Sequence, residues 1–197
     1  MSRSESNRQK IIEKAAVLFN ENGIAGTAVD DILRVTNLSK SSFYTVFPGK
    51  AELSYATVDY MLGRIVEKRN AVIAAGKTPM DKILAFMDFV KNPIDSLIVG
   101  GCPIINLSVE SDDTNPIIKQ KVRTLIENAF KLFASILKEG IDCGQLSARL
   151  KPEEFAQRMF ISIEGANAIC RVLGSIKPMH TIIKGFRTEL ESYKIVS

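Results

Sequence analysis

With 197 residues, 46% of them apolar and 24% charged, the chain is long enough for one sizeable core or for a small domain joined to a larger one, and its composition is that of a globular protein. A net charge of +4 permits a nucleic-acid partner without demanding one, so any anion-binding face must be local. No stretch approaches the roughly 18 uninterrupted apolar residues of a membrane span and the N-terminus carries no apolar signal core, so a cytoplasmic protein with no membrane partner is expected.

Cysteine and histidine usage narrows the chemistry further. Cys102, Cys143 and Cys170 are odd in number and far apart, which argues against a disulfide framework, and with a single histidine, His180, no metal is expected. No Gly-rich phosphate loop or paired-carboxylate motif is present, so neither a cofactor nor an enzyme activity is expected.

Apolar positions recur at helical spacing nearly throughout, and no convincing alternating strand is found, which predicts an all-α fold of about nine helices. The first helix spans about 4–22, buries Ile12, Ala15, Ala16 and Phe19, and ends at Gly23, a residue suited to a left-handed cap. Thr27 opens the second helix, with Asp30 three residues on in a capping-box relation, and Val29, Ile32 and Leu33 form its inner stripe. Asn37 tolerates the left-handed turn that follows, and Ser39 caps a third helix running to Phe47. Phe43 and Phe47, four apart, face inward, which leaves Lys40, Ser41, Ser42, Tyr44 and Thr45 to the outward surface. This third helix is too short to bury much, so its hydroxyls and lysine suit phosphates and base edges. Pro48-Gly49 stops it, and Lys50 starts a long fourth helix with a cation where the dipole disfavours one, an arrangement that fits an external anion.

Together these residues resemble the DNA-binding domain of the TetR family of bacterial transcriptional regulators. The resemblance covers residues 8–53 and is carried by Arg8, Ile12, Ala16, Phe19, Gly23, Thr27, Ile32, Ser39, Tyr44, Phe47, Lys50 and Leu53. It departs from the family pattern at Thr36-Asn37-Leu38, where Ala-Gly-Val is common, and at Ser41-Ser42, where Gly-Thr is common. The resemblance implies phosphate contacts from Thr27, Tyr44 and Lys50, and base-edge contacts from Ser39, Lys40, Ser41, Ser42 and Thr45. Without arginine or glutamine in the third helix, readout is expected to lean on DNA shape and on dimer spacing. The chain is thus expected to divide into a helix-turn-helix domain at 1–50 and a helical ligand-binding and dimerisation domain at 51–197, with the boundary inside the fourth helix.

Beyond Lys77, Thr78-Pro79 opens another helix rich in apolar residues. Gly101-Cys102-Pro103-Ile104-Ile105-Asn106, followed by Glu110, resembles a motif of one branch of the same family. Asn115-Pro116, Lys151-Pro152 and Lys177-Pro178 each start a further helix, ending near Gly144, Leu173 and Tyr193. Along the helix at 152–173, Phe155, Met159, Ser162, Gly165, Ala166, Ile169 and Leu173 form a stripe that can serve either the core or a four-helix homodimer interface of the kind the resemblance implies. The resemblance also implies a small-molecule inducer, with Tyr60, Met61, Phe86, Phe89, Cys102, Asn106, Phe130 and Asn167 as pocket candidates, although a Met and Phe stripe serves equally as core. The function expected is a homodimeric repressor of a palindromic double-stranded DNA operator, released by an inducer. The alternatives are control by a protein partner, or by electrophile or oxidant modification of Cys102.

Overall fold

The computed structural model describes residues 3–195. Among them the backbone forms nine helices: α1 (Arg3–Asn22), α2 (Val29–Thr36), α3 (Lys40–Val46), α4 (Lys50–Ala74), α5 (Pro79–Val90), α6 (Pro103–Ser111), α7 (Pro116–Asp142), α8 (Pro152–Leu173) and α9 (Lys177–Ser192). The fold is all-α, and the extended contact found is an isolated antiparallel bridge between Leu146 and Lys194. Among the described residues no helix is long and apolar enough to cross a membrane.

Packing groups the chain differently from the linear division at residue 50. Residues up to Ile65 join Ser96–Val122 in one compact unit, and Val66–Asp95 join the residues from Arg123 onward in another.

In the first unit, Ile11, Ile12, Ala15 and Phe19 of α1 pack with Ile32 of α2, Phe43 of α3, Phe47 just beyond it, and Leu53 of α4. These positions recur at three and four, so one face of each helix is apolar and the faces close on each other. The Phe43 and Phe47 rings lie 6.1 Å apart, and the Arg8 guanidinium sits 5.3 Å above the Phe47 ring, a cation over a π face. The start of α2 differs from the expected Thr27–Asp30 capping box. The helix begins at Val29, and the Ala28 N–H is taken by the Asp31 carboxylate at 2.9 Å. Thr27 has turned inward instead, where its hydroxyl donates to the Gly23 carbonyl at 2.8 Å. Asn37 closes α2 in the left-handed conformation, at φ 53° and ψ 42°.

In the second unit, Thr78 and Asp81 cap α5 reciprocally: the Thr78 hydroxyl accepts from the Asp81 N–H at 3.1 Å and the Asp81 carboxylate accepts from the Thr78 N–H at 3.2 Å. The Gln145 side chain adds a second clamp, accepting from the Met80 N–H at 3.0 Å and donating to the Thr78 hydroxyl at 2.9 Å. Aromatic pairs fill the interior: Phe86 on Phe133 at 4.5 Å, Phe130 edge-on to Phe160 at 5.6 Å and Phe155 edge-on to Phe186 at 5.4 Å. Arg187 of α9 pairs with Asp88 of α5 at 2.7 Å.

Candidate nucleic-acid interface

The third helix is held from inside and capped from its own sequence. Phe43 is fully buried, so the face opposite it is turned outward, and Lys40, Ser41, Tyr44 and Thr45 are all exposed. The Ser39 hydroxyl accepts from the Ser42 N–H at 3.1 Å, the bond of an N-cap. Ser39 also lies 3.0 Å from the Ser41 hydroxyl and 2.8 Å from that of Ser42, which joins three hydroxyls at the start of the helix. Thr45 donates back to the Ser41 carbonyl at 2.9 Å. Tyr44, 47% exposed, keeps its ring edge-on to Phe43 at 5.2 Å. The helix thus offers a rigid, polar surface with few long side chains.

Lys50 stands at the first position of α4, and its ammonium donates to the Ala25 carbonyl at 3.4 Å, in the turn that leads to α2. A cation is thereby held beside backbone N–H groups that the start of α4 leaves without intrahelical partners. Thr27 is 2% exposed, its hydroxyl spent on main-chain carbonyls, so the side chain shapes this turn from within.

The same turn is clamped by a segment far away in sequence. Glu110 of α6 accepts from the Ala25 N–H at 2.7 Å and from the Ile24 N–H at 3.0 Å. Asn106, one turn earlier, donates to the main-chain and side-chain oxygens of Asn20 and to the Gly100 carbonyl. Asn20 in turn donates to the carbonyls of Ile98, Val99 and Gly101. The end of α1 and the loop before α6 form one hydrogen-bonded block. Gly100, at φ +109°, is required here, since a Cβ would lie 2.6 Å from the main-chain carbonyl of Asn20. Asn20 was not singled out from sequence. The signal available was an amide on the inner side of α1, one residue beyond Phe19, where an unpaired polar group is costly.

The pocket candidates fall in both units. In the first, Tyr60 packs against the core around Phe43, Met61 is fully buried, Cys102 occupies the N-cap of α6, and Asn106 is engaged with Asn20. In the second, Phe86 and Phe130 belong to the aromatic interior, Asn167 donates to Glu164 at 3.2 Å, and Phe89 is exposed.

The stripe along α8 separates into two faces. Phe155, Met159 and Ala166 are buried within their own unit, Phe155 against Phe186. Gly165, Ile169 and Leu173 lie open together with Ile161 and Val172, two residues not singled out from sequence, while Ser162 is intermediate. These open residues are spaced at three and four, one continuous apolar face.

Two family models match the chain: one for bacterial regulatory proteins of the tetR family over residues 11–56, and one for the tetracyclin repressor-like C-terminal domain over residues 79–186. A TetR transcriptional regulator from Chloroflexus aurantiacus is 30% identical and superposes with a TM-score of 0.94, covering 100% of both chains. A TetR-family regulator from Cytophaga hutchinsonii, also 30% identical, gives a TM-score of 0.90 over 100% of this chain and 99% of its own. The transcriptional repressor DhaR of a Mycobacterium species is 25% identical over 159 residues, 81% of this chain and 79% of the relative.

Proposed function

The chain belongs to the TetR family of bacterial transcriptional regulators, and from that premise we propose that it is a homodimeric repressor of a palindromic operator, released by a small-molecule inducer. That it is a DNA-binding regulator and not an enzyme follows from the family itself. The observation that best supports the finer reading is the exposed polar face of α3, fixed by the buried Phe43 and capped by Ser39.

On this reading α3 lies in the major groove. Lys40, Ser41 and Thr45 approach base edges, the Ser39 and Ser42 hydroxyls brace the start of the helix, and Tyr44 and Lys50 hold phosphates on either side. Thr27 contributes by setting the turn before α2. Base contacts from hydroxyls and one lysine are few, so twofold symmetry is needed to reach useful affinity. The open apolar face of α8 supplies a surface for that symmetry, and the repressor sense follows DhaR, whose name gives it that role.

Selection of bound sequences from a random duplex pool tests this reading. The expected product is an inverted repeat with half-site centres about 34–36 Å apart or a multiple of that spacing. Recovery of no enriched sequence would count against it.

A further inference from the structure

The turn between α1 and α2 is gripped from two sides by charged groups that lie far from it in sequence. Beyond Asn22 the chain passes through Gly23 at φ +78°, and the next two N–H groups, those of Ile24 and Ala25, converge on one acceptor, the Glu110 carboxylate, at 3.0 and 2.7 Å. Successive N–H groups arranged in this way form a small anion-binding concavity, and a carboxylate takes both through charge-assisted bonds. Gly23 permits the close approach, since a Cβ there would lie 3.2 Å from Glu110 Oε1. Asn106, four residues earlier on the same side of α6, is tied to Asn20 near the end of α1, so the helix that presents Glu110 is fastened to the helix whose end it grips. The Ala25 carbonyl, meanwhile, accepts from the Lys50 ammonium at 3.4 Å. All of these residues belong to one compact unit.

The sign of the charge on Glu110 separates two possible roles. A carboxylate in the unit that carries α3 and Lys50 repels phosphates, so on charge alone its removal strengthens binding to DNA. What the carboxylate supplies is position. The Lys50 side chain is a compact charge on a flexible four-carbon stem, and the Ala25 carbonyl can steer it only if the turn itself stays still. Thr27 ties the far end of that turn to the Gly23 carbonyl at 2.8 Å, and Glu110 holds its middle.

We propose that Glu110 is a positioning residue for DNA binding: by fixing the turn at Ile24 and Ala25 from α6, it sets the carbonyl that directs the Lys50 ammonium toward a phosphate. The assignment rests on the reading that Lys50 contacts the DNA backbone.

The test is a double-mutant cycle on the full chain, with a duplex enriched from a random pool by the wild-type protein as the probe, read by fluorescence anisotropy across a range of salt. Glu110→Gln, which removes the charge and keeps the shape, weakens binding by about fivefold. Its salt slope falls toward that of Lys50→Met. In the Lys50→Met background the same substitution causes no further loss, because the contact it acts through has gone. Affinity equal to or tighter than wild type in Glu110→Gln overturns the proposal, as does a loss of the same size in both backgrounds, which would make Glu110 a structural residue. Glu110→Asp keeps the charge and shortens the reach by one methylene, and it carries the same cycle should Glu110→Gln melt below the assay temperature. Failure of both variants to fold also makes the residue structural and overturns the proposal. Wild-type binding that weakens in Lys50→Met but not in the Glu110 variants overturns this inference alone. Full affinity in Lys50→Met overturns the phosphate role of Lys50 with it, and no enriched duplex for wild type counts against the regulator reading itself.

Discussion

Asn106 donates to both the main-chain carbonyl and the side-chain oxygen of Asn20, at 3.0 Å each. With its own oxygen so occupied, Asn20 is oriented with its amide nitrogen toward the carbonyls of Ile98, Val99 and Gly101. Asn20→Asp keeps the shape and removes the donor, leaving a carboxylate facing carbonyl oxygens in a buried position. We expect a loss of at least about 2 kcal/mol, since an unpaired buried group costs about 1–3 kcal/mol and a charged one more. In a domain of this size that is a fall of about 4–8 °C in melting temperature, which calorimetry reads directly. An unchanged Tm would mean that the block at the end of α1 carries no stability.

Gly100→Ala is expected to act on the same block through sterics. The added methyl would lie 2.6 Å from the Asn20 carbonyl, and the φ of +109° is one that alanine adopts only under strain. The loop must shift, the Asn20 bonds with it, and the melting temperature should fall by an amount similar to that of Asn20→Asp. Melting curves of the two single variants and the double variant check this: the double should lose less than the sum, because both disturb one network.

The open face of α8 carries a prediction about assembly. Ile169→Glu and Leu173→Glu place charges on residues that are 53% and 61% exposed in the single chain, so neither should alter its helical content. If the proposed dimer forms through this face, wild type should elute as a dimer and both variants as monomers in size-exclusion chromatography with light scattering. A dimer persisting in the double variant would place the interface elsewhere.

Acid titration offers a separate check on the second unit. Burial pushes the Asp88 carboxyl up, but the hydrogen bond and charge of Arg187, with help from Lys91, outweigh it and leave the pKa below the ordinary carboxylate value. A carboxylate depressed in the folded state stabilises above its unfolded pKa, about 3.9, and that contribution disappears as pH falls through the folded value. The pair is exposed to solvent, so it contributes no more than about 1 kcal/mol. Asp88→Asn should lower the melting temperature slightly at neutral pH, and the difference from wild type should close as the pH falls through the depressed pKa of Asp88 in the folded state.

Much of the fold was legible because its signals are local. Thr78-Pro79, Lys151-Pro152 and Lys177-Pro178 mark helix starts through φ restriction and the missing N–H, and α5, α8 and α9 begin there. The outward face of α3 was readable from Phe43 and Phe47 alone, since two buried rings four apart orient a short helix. Thr27 misled because a hydroxyl followed by an acid reads as a cap whether or not the side chain turns inward. Here Gly23 offers it a carbonyl at 2.8 Å that periodicity cannot reveal. The grouping of residues 96–122 with the N-terminal helices was invisible for a related reason, since Glu110 meets Ala25 across 85 positions of sequence. On α8, the spacing of Phe155, Met159 and Ala166 fits a core face and a dimer face equally, and only packing against α9 separates them.

DNA binding through α3 and the start of α4 is best checked by fluorescence anisotropy on DNA from upstream of the protein's own gene, comparing wild type with Tyr44→Phe and Lys50→Met across a range of salt. Tyr44→Phe retains the ring on Phe43 and removes the hydroxyl, and Lys50→Met keeps the length of the side chain and removes its charge. Both variants should bind more weakly, and Lys50→Met should show a salt slope shallower by about 0.9 for each phosphate it no longer neutralises. Affinity and salt slope equal to wild type in both variants would rule out the phosphate roles of Tyr44 and Lys50 and, with them, this mode of docking.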